Sequence, residues 1–372
     1  MNTTPQRFLS LDIFRGLTVA MMILVNSIDD QQAYSWLRHS SWNGCTLADL
    51  VFPFFIFIVG MSGVLSITGL KNKGLSTQDI LNKIIKRTAI LFLIGLLINA
   101  FPHHFDLTSI RLFGVLQRIA ICYFFASLLF LTCRAQTHII ILTSLLVAYW
   151  LVMILIPVPG YGVHNLTQEG NFAAYLDRLF IPAQHLYTKN FDPEGIFSTL
   201  PAIATALLGN LLSMWLLTPN PQTRRLHGMI LAGSVAMILG WLWGVSFPIN
   251  KAIWSSSYVL WTSGIALLLY ALVYWCVEMH RWHSWLKPFE IFGKHALIAF
   301  VLHVLFLKLQ AKLFVHTPAG GLINLRDFLT LHLFPHVALS HAAFLYALAC
   351  VAFWLIVILA YDRAKRWTKV ET

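Results

Sequence analysis
Charge is scarce in this sequence. Asp, Glu, Lys and Arg make up 11% of its 372 residues, against roughly 25% in soluble domains. Hydrophobic residues make up 58%, more apolar surface than a soluble fold of this length can hide in one core. A soluble domain is therefore excluded, and a bilayer is required to cover the remainder. Acidic residues are the rarest charged class, 15 against 26 Lys and Arg, for a formal net charge of +11. In a soluble protein that imbalance would suggest nucleic acid; in a membrane protein Lys and Arg gather in cytoplasmic loops and fix orientation. Cysteine is also sparse. Four of the five (Cys45, Cys122, Cys133, Cys276, Cys350) fall in or at the ends of apolar runs, and no pair has ligand spacing. That excludes a disulfide framework and a zinc site. The fifteen histidines form no H-E-x-x-H pattern, so no metal is expected. No small-residue cleavage site follows the run after Arg7, which is read as a retained helix.

Long apolar runs are abundant. They lie near 9–28, 47–70, 84–102, 111–133, 137–157, 196–217, 227–247, 256–277, 289–310 and 340–361. Each approaches the ~20 residues that cross a hydrocarbon core. The expected fold is an all-α, polytopic membrane helical bundle of about ten transmembrane helices, forming one transmembrane domain over 1–372. The stretch 316–339 mixes Leu329, Leu331 and Phe334 with Arg326, Asp327, His332 and Pro335. It is read as a re-entrant or interfacial helix, with an eleventh span as the alternative. One set of loops carries Arg7, Lys71, Lys73, Lys83, Lys86, Arg87, Arg134, Arg224, Arg225, Arg281, Lys287, Arg363, Lys365, Arg366 and Lys369. The opposite set carries fewer, so both termini are predicted to be cytoplasmic. The outer loops are then 29–46, 103–110, 158–195, 248–255 and 311–339. The third is long enough to suggest function.

Polar residues in these apolar surroundings are the candidates for chemistry. The first helix opens Ser10-Leu-Asp12-Ile-Phe-Arg15-Gly16. Asp12 and Arg15 share a face; Arg15 either snorkels to headgroups or lines a cytoplasmic pocket for an anion. Asn26 places an amide near the outer end of the same helix. The segment His39-Ser-Ser-Trp42-Asn43-Gly-Cys-Thr46-Leu-Ala-Asp49 precedes the second helix. Thr46 and Asp49 have the spacing of a reciprocal cap. His39 is either an interfacial residue or a general base, since imidazole changes charge near neutral pH. Gln117 and Arg118 lie in the fourth span, where an arginine is expensive and is usually paired or functional. Asp192 and Glu194 end the long outer loop; they either stabilise a helix N-terminus or orient a cationic substrate.

Taken in order, Ser10–Gly16, Asn26, His39–Gly44 with Ala48–Pro53, Gly114–Arg118, Asp192–Ile196 and Pro248–Tyr258 resemble the heparan-α-glucosaminide N-acetyltransferase family, including its bacterial relatives. The resemblance implies an acetyl group taken from cytoplasmic acetyl-CoA, as co-substrate, and delivered to an amino sugar across the membrane. It places the family's catalytic histidine on His39 and its functional asparagine on Asn26. On that basis His39 deprotonates the acceptor amine or is itself transiently acetylated, and Asn26 and Asn43 polarise the acetyl carbonyl. Arg15, Gln117 and Arg118 are expected at the donor, and Trp42, Asp192 and Glu194 at the acceptor. The expected partners are the lipid bilayer, acetyl-CoA and the amino sugar, with a homodimer left open and no nucleic acid. The expected location is a bacterial cytoplasmic membrane. A transporter of amino sugars is the competing class, since intramembrane Asp12, Arg15, Arg118 and Asn26 suit it too; the sequence shows no inverted repeat.

Overall fold
A computed structural model describes residues 8–29, 31–101, 106, 108–316 and 321–370, with side chains to 366. Arg7, the side chain of Lys369 and residues 103–105 and 107, which fall in the loop expected at 103–110, lie outside the described residues. The chain's described residues divide into two compact units, one within 40–45 and 52–272 and one within 8–39, 46–51 and 273–370.

The first unit holds most of α2 (Leu47–Asn72), then α3 (Thr77–Ala100), α4 (Val115–Thr132), α5 (Ala135–Leu155), α6 (Phe172–Phe180), α7 (Thr199–Leu216), α8 (Gln222–Trp243) and nearly all of α9 (Ser256–Tyr274). Small residues let these helices approach closely. A Cβ on Gly60 would strike the carbonyl oxygen of Ala206, and one on Gly209 that of Phe57, so α2 and α7 touch backbone to backbone. Along α8, Leu231, Ile238, Leu239 and Trp241 remain exposed, an apolar surface that a bilayer covers. Near the long loop, Tyr149, Met153, Ala173, Ala174, Phe191, Phe247 and Ile253 form a buried cluster. The Tyr149 hydroxyl donates to the Ile253 carbonyl at 2.5 Å, so the polar tip of this core residue is satisfied.

The second unit holds α1 (Leu9–Ser27), the first turn of α2, a π-turn at Trp275–Met279, α10 (Lys287–Lys294), α11 (Ala296–Lys312), strands β1 (Phe314–His316) and β2 (Leu322–Asn324), α12 (Leu325–Leu333) and α13 (Leu339–Val370). Here α1 crosses α10 at two glycines. A side chain on Gly16 would meet the Phe289 carbonyl, and one on Gly293 the Asp12 carbonyl.

Among the described residues, α1, α2, α4, α5, α7, α8, α9 with its π-turn, and α13 are long and apolar enough to cross a membrane, eight in all; α10 and α11, bent by 80° at His295, make a ninth if they act as one span. The chain is an integral membrane protein. The run expected over 289–310 is thus broken, because His295 leaves helical geometry at φ −111° and ψ 24°. The run expected at 84–102 covers roughly the last two-thirds of α3, whose opening turns carry Asp79, Lys83, Lys86 and Arg87, the last two inside the run itself. The ambiguous 316–339 stretch supplies no spanning helix among its described residues. It holds one strand of an antiparallel hairpin, paired with 314–316, and the nine-residue α12, about 13 Å long.

Candidate active site
His39 lies in the second unit, where the α1–α2 loop turns into the second helix. Its Nδ1 is 2.8 Å from Asp49 Oδ1. Asp49 is buried, with a side chain 1% exposed, while the His39 ring is 38% exposed. The second oxygen of Asp49 accepts from the backbone N–H and hydroxyl of Thr46, both at 3.1 Å. The carboxylate half of the reciprocal cap expected from Thr46 and Asp49 is therefore present, with the Asp49 N–H donating to the Thr46 carbonyl, and it uses only one carboxylate oxygen. The other fixes the ring. A carboxylate only accepts, so Nδ1 carries the proton and the lone pair resides on Nε2. A buried carboxylate orienting a partly exposed imidazole is the arrangement that prepares a general base. Sequence reasoning missed this role of Asp49, whose spacing showed only the cap.

On α1, Arg15 Nη1 is 3.3 Å from both Asp12 Oδ1 and the Gly293 carbonyl. Arg15 is thus held at the α1–α10 crossing with its side chain 22% exposed. Eleven residues on, Asn26 occupies the last turn of α1 and is exposed, about 16 Å further along the helix.

The first unit holds the remaining candidates. The Asn43 amide oxygen accepts from Asn250 Nδ2 at 3.1 Å, while Asn250 Oδ1 receives the Ile253 N–H, also at 3.1 Å. The Gly44 N–H donates to Ile249 at 2.7 Å. Gly44 has φ +110°, a conformation that a side chain disfavours. The clasp therefore turns the Asn43 NH₂ away from Asn250. Asn250 lies in a motif that the sequence singled out without giving it a role. The Trp42 indole N–H donates to the Leu166 carbonyl at 2.8 Å, and its ring meets Phe191 edge-on at 5.5 Å. Trp42 is thereby fastened to the long 158–195 loop.

Asp192 and Glu194 are not presented to a cationic ligand. Arg111 takes Asp192 through two bonds, at 2.6 and 2.9 Å, and also binds Glu194. The same guanidinium covers the Tyr187 ring, 4.6 Å from its centroid. Burial alone would lower the pKa of Arg111, but the two carboxylates outweigh it and hold it above the usual arginine value. The triad closes the end of the loop onto the approach to α4. Asp177 lies nearby on α6. Burial pushes its carboxyl up to about 7, against the Ile196 N–H that donates to Oδ1 at 2.8 Å.

Arg118 is fully buried. It donates to the Gly195 carbonyl at 3.2 Å and to the Ser198 hydroxyl, and it stacks 5.2 Å from the centroid of the Trp254 ring. Gln117 is buried too, its Oε1 beside Gly95 and Gly114. Arg118 thereby ties α4 to the segment that leads from the long loop into α7, while Gln117 packs between α4 and α3. Both are enclosed by the protein's own groups, and Arg118 Nε and Nη1 and Gln117 Nε2 have no hydrogen-bond partner among the described residues.

A sequence-family model described as heparan-alpha-glucosaminide N-acetyltransferase, catalytic, matches residues 7–249. The chain is 31% identical over 363 residues to human heparan-alpha-glucosaminide N-acetyltransferase, an alignment covering 82% of this chain and 54% of the human protein. To the mouse protein of the same name it is 30% identical over 356 residues, covering 81% of this chain and 54% of that relative. The chain thus spans about half the length of these relatives. The matched segment contains His39, Asn43, Asp49 and the Arg111–Asp192–Glu194 triad.

Proposed function
Because the chain belongs to the heparan-alpha-glucosaminide N-acetyltransferase family, we propose that it is a membrane acetyltransferase moving an acetyl group from cytoplasmic acetyl-CoA to an amino sugar at the outer face. The observation that carries this reading is the 2.8 Å contact between His39 and the buried Asp49. In this reading both termini are cytoplasmic, the bilayer is a bacterial cytoplasmic membrane, and α1 runs outward from Arg15 to Asn26.

An amino sugar arrives as an ammonium ion, which cannot attack a thioester. Nε2 of His39 takes one proton, and the charge that develops on the ring is stabilised by Asp49. The neutral nitrogen then adds to the acetyl carbonyl. The oxyanion collapses, the carbon–sulfur bond breaks, and the thiolate receives the second nitrogen proton. Acetyl-CoA and the ammonium sugar become the acetamide, free coenzyme A and one proton, which leaves through His39. Asn43, four residues along the chain, has its oxygen engaged by Asn250 and its NH₂ available to polarise a carbonyl. Asn26 is a second amide for that task. Arg15 supplies a cation for the donor's phosphates. Trp42 offers an aromatic face to the acceptor, while Asp192 and Glu194 act through Arg111 by holding the long loop in shape.

The test uses the full chain in lipid nanodiscs with radiolabelled acetyl-CoA and glucosamine or related amino sugars. Acetylated sugar and an equal amount of free thiol are expected. Reconstituted vesicles that take up unmodified sugar while acetyl-CoA stays intact would replace this reading with the transporter.

A further inference from the structure
The turn from α2 into α3 carries a charge imbalance that the scheme above does not use. Lys71, Lys73, Lys83, Lys86 and Arg87 stand against a single carboxylate in the same stretch, Asp79. That acid is engaged at the start of α3, where the Ser76 hydroxyl donates to it at 2.6 Å. All five cations are exposed, and none forms an ion pair among the described residues. Past Arg87 the charge stops. Residues 88–100 carry none, over about 20 Å of helix. Lys86 and Arg87 therefore mark the level at which headgroups give way to hydrocarbon.

An open groove of about 430 Å³ crosses that level. It is lined by Ile85, Thr88, Ala89, Phe92 and Leu93 of α3 and by Phe124 of α4. The α3 residues follow the i, i+3, i+4, i+7, i+8 spacing of one helix face. The Thr88 hydroxyl turns back to the Ile84 carbonyl at 2.9 Å, so the lining is apolar along its length. Lys86 shares this face, one turn before Ala89. Arg87 reaches toward the other wall: its guanidinium is 4.8 Å from the ring centroid of Tyr123, the α4 residue next to Phe124. The groove thus begins level with two unpaired cations and continues into the hydrocarbon.

We propose that the α3–α4 groove binds one anionic phospholipid, its phosphate at Lys86 and Arg87 with Lys83 one turn away, and an acyl chain along Ala89, Phe92 and Phe124. A phosphate joined to a hydrocarbon chain matches both halves of the site. A soluble phosphate would leave the apolar length empty. A zwitterionic lipid would bring its own cation to a surface already in excess of positive charge. The bound lipid supplies the counter-charge that the chain itself lacks there and covers the seam between the two helices, so it stabilises the folded protein by mass action. None of this depends on the acetyl-transfer reading.

The experiment titrates the full chain in detergent with dioleoylphosphatidylglycerol or with zwitterionic dioleoylphosphatidylcholine and reads bound lipid by native mass spectrometry. One molecule of the anionic lipid should be retained, with a preference of about tenfold or more. Lys86→Gln combined with Arg87→Gln should abolish that preference. Ala89→Trp, which keeps every charge and fills the groove, should weaken the anionic lipid about tenfold or more. Leu239→Trp, on the exposed surface of α8, should leave it unchanged. Glycerol 3-phosphate, which has the phosphate and no chains, should not compete. The anionic lipid should also raise the Tm of the wild type and not that of the Ala89 variant; Ala89→Leu carries the same test if the tryptophan prevents folding. Equal retention of the two lipids would overturn the proposal, as would competition by glycerol 3-phosphate. So would a loss on removing Lys86 and Arg87 with none on filling the groove, the pattern of a diffuse charged surface.

Discussion
Asp49 serves His39 and Thr46 at once: one oxygen lies 2.8 Å from the imidazole Nδ1 and the other accepts from the residue just before α2. Ring orientation is thereby coupled to the start of a membrane helix. His39→Ala should fold and bind acetyl-CoA but lose acetyl transfer by about 10²–10⁴-fold. Asp49→Asn should lower kcat by at least about tenfold, because an amide can favour the wrong imidazole tautomer, with little change in acetyl-CoA affinity. Near-normal turnover by a well-folded His39→Ala protein would remove the imidazole from the mechanism.

Orientation can be tested directly. Cysteines introduced near Lys73 and Arg224 should react only with reagent on the cytoplasmic side, and those near Gln32 and Thr167 only from outside. Reversed labelling at any of these sites would break the inside-donor, outside-acceptor scheme.

Arg111 is the counter-charge for two buried carboxylates. Arg111→Gln leaves Asp192 and Glu194 facing each other without it, and should cost about 3 kcal/mol or more, read as a lowered Tm. Restoring stability with Asp192→Asn in the same chain would show that charge, rather than shape, is responsible.

Asp177 predicts a pH dependence of the opposite sign to that of an ion-paired acid. Its carboxyl is raised to about 7 by burial, so the folded chain binds a proton that the unfolded chain, with an ordinary carboxylate near 4, has released. Stability from this group is present below about 4 and is lost as pH rises to about 7. Asp177→Asn should raise Tm at pH 8 and flatten the decline between those values. A steeper decline in the variant would contradict the assignment.

The donor contact separates Arg15 from Arg118. Arg15→Gln should weaken coenzyme A binding while leaving Tm nearly unchanged. Arg118→Gln should instead lower Tm, because it strips the Gly195 carbonyl and Ser198 of their shared cation. Coenzyme A affinity that is unaffected by Arg15→Gln would assign that arginine to the helix crossing alone.

Much of the fold was legible because a membrane helix writes itself as a single long apolar run. The break at His295 was not, since a histidine inside such a run leaves hydropathy nearly intact while the backbone turns by 80°. His39 and Asn43 stood out through their motif. Their partners did not, for different reasons. Asp49 had a sufficient local explanation as a cap, and nothing in a linear spacing shows that a carboxylate has a second oxygen to use. Asn250 lies 207 residues from Asn43, and Arg111 lies 81 residues from Asp192. Pairings at such separations are set by helix packing, which one sequence does not display. The carboxylates of the long loop read as ligands for a cation because the cation that satisfies them is elsewhere in the chain.

The Asn43–Asn250 bond also bears on where this protein can be cut. The segment shared with the family model ends at residue 249, on the carbonyl that receives the Gly44 N–H and one residue short of the amide that orients Asn43. A fragment trimmed to that boundary would keep the motifs through Asp192–Ile196 but lose most of Pro248–Tyr258, and with it one half of the clasp that aims Asn43. The limits of sequence kinship and the limits of a working catalyst therefore fall at different residues, and expression trials should run past Asn250 to include the Ser255 hydroxyl that holds it.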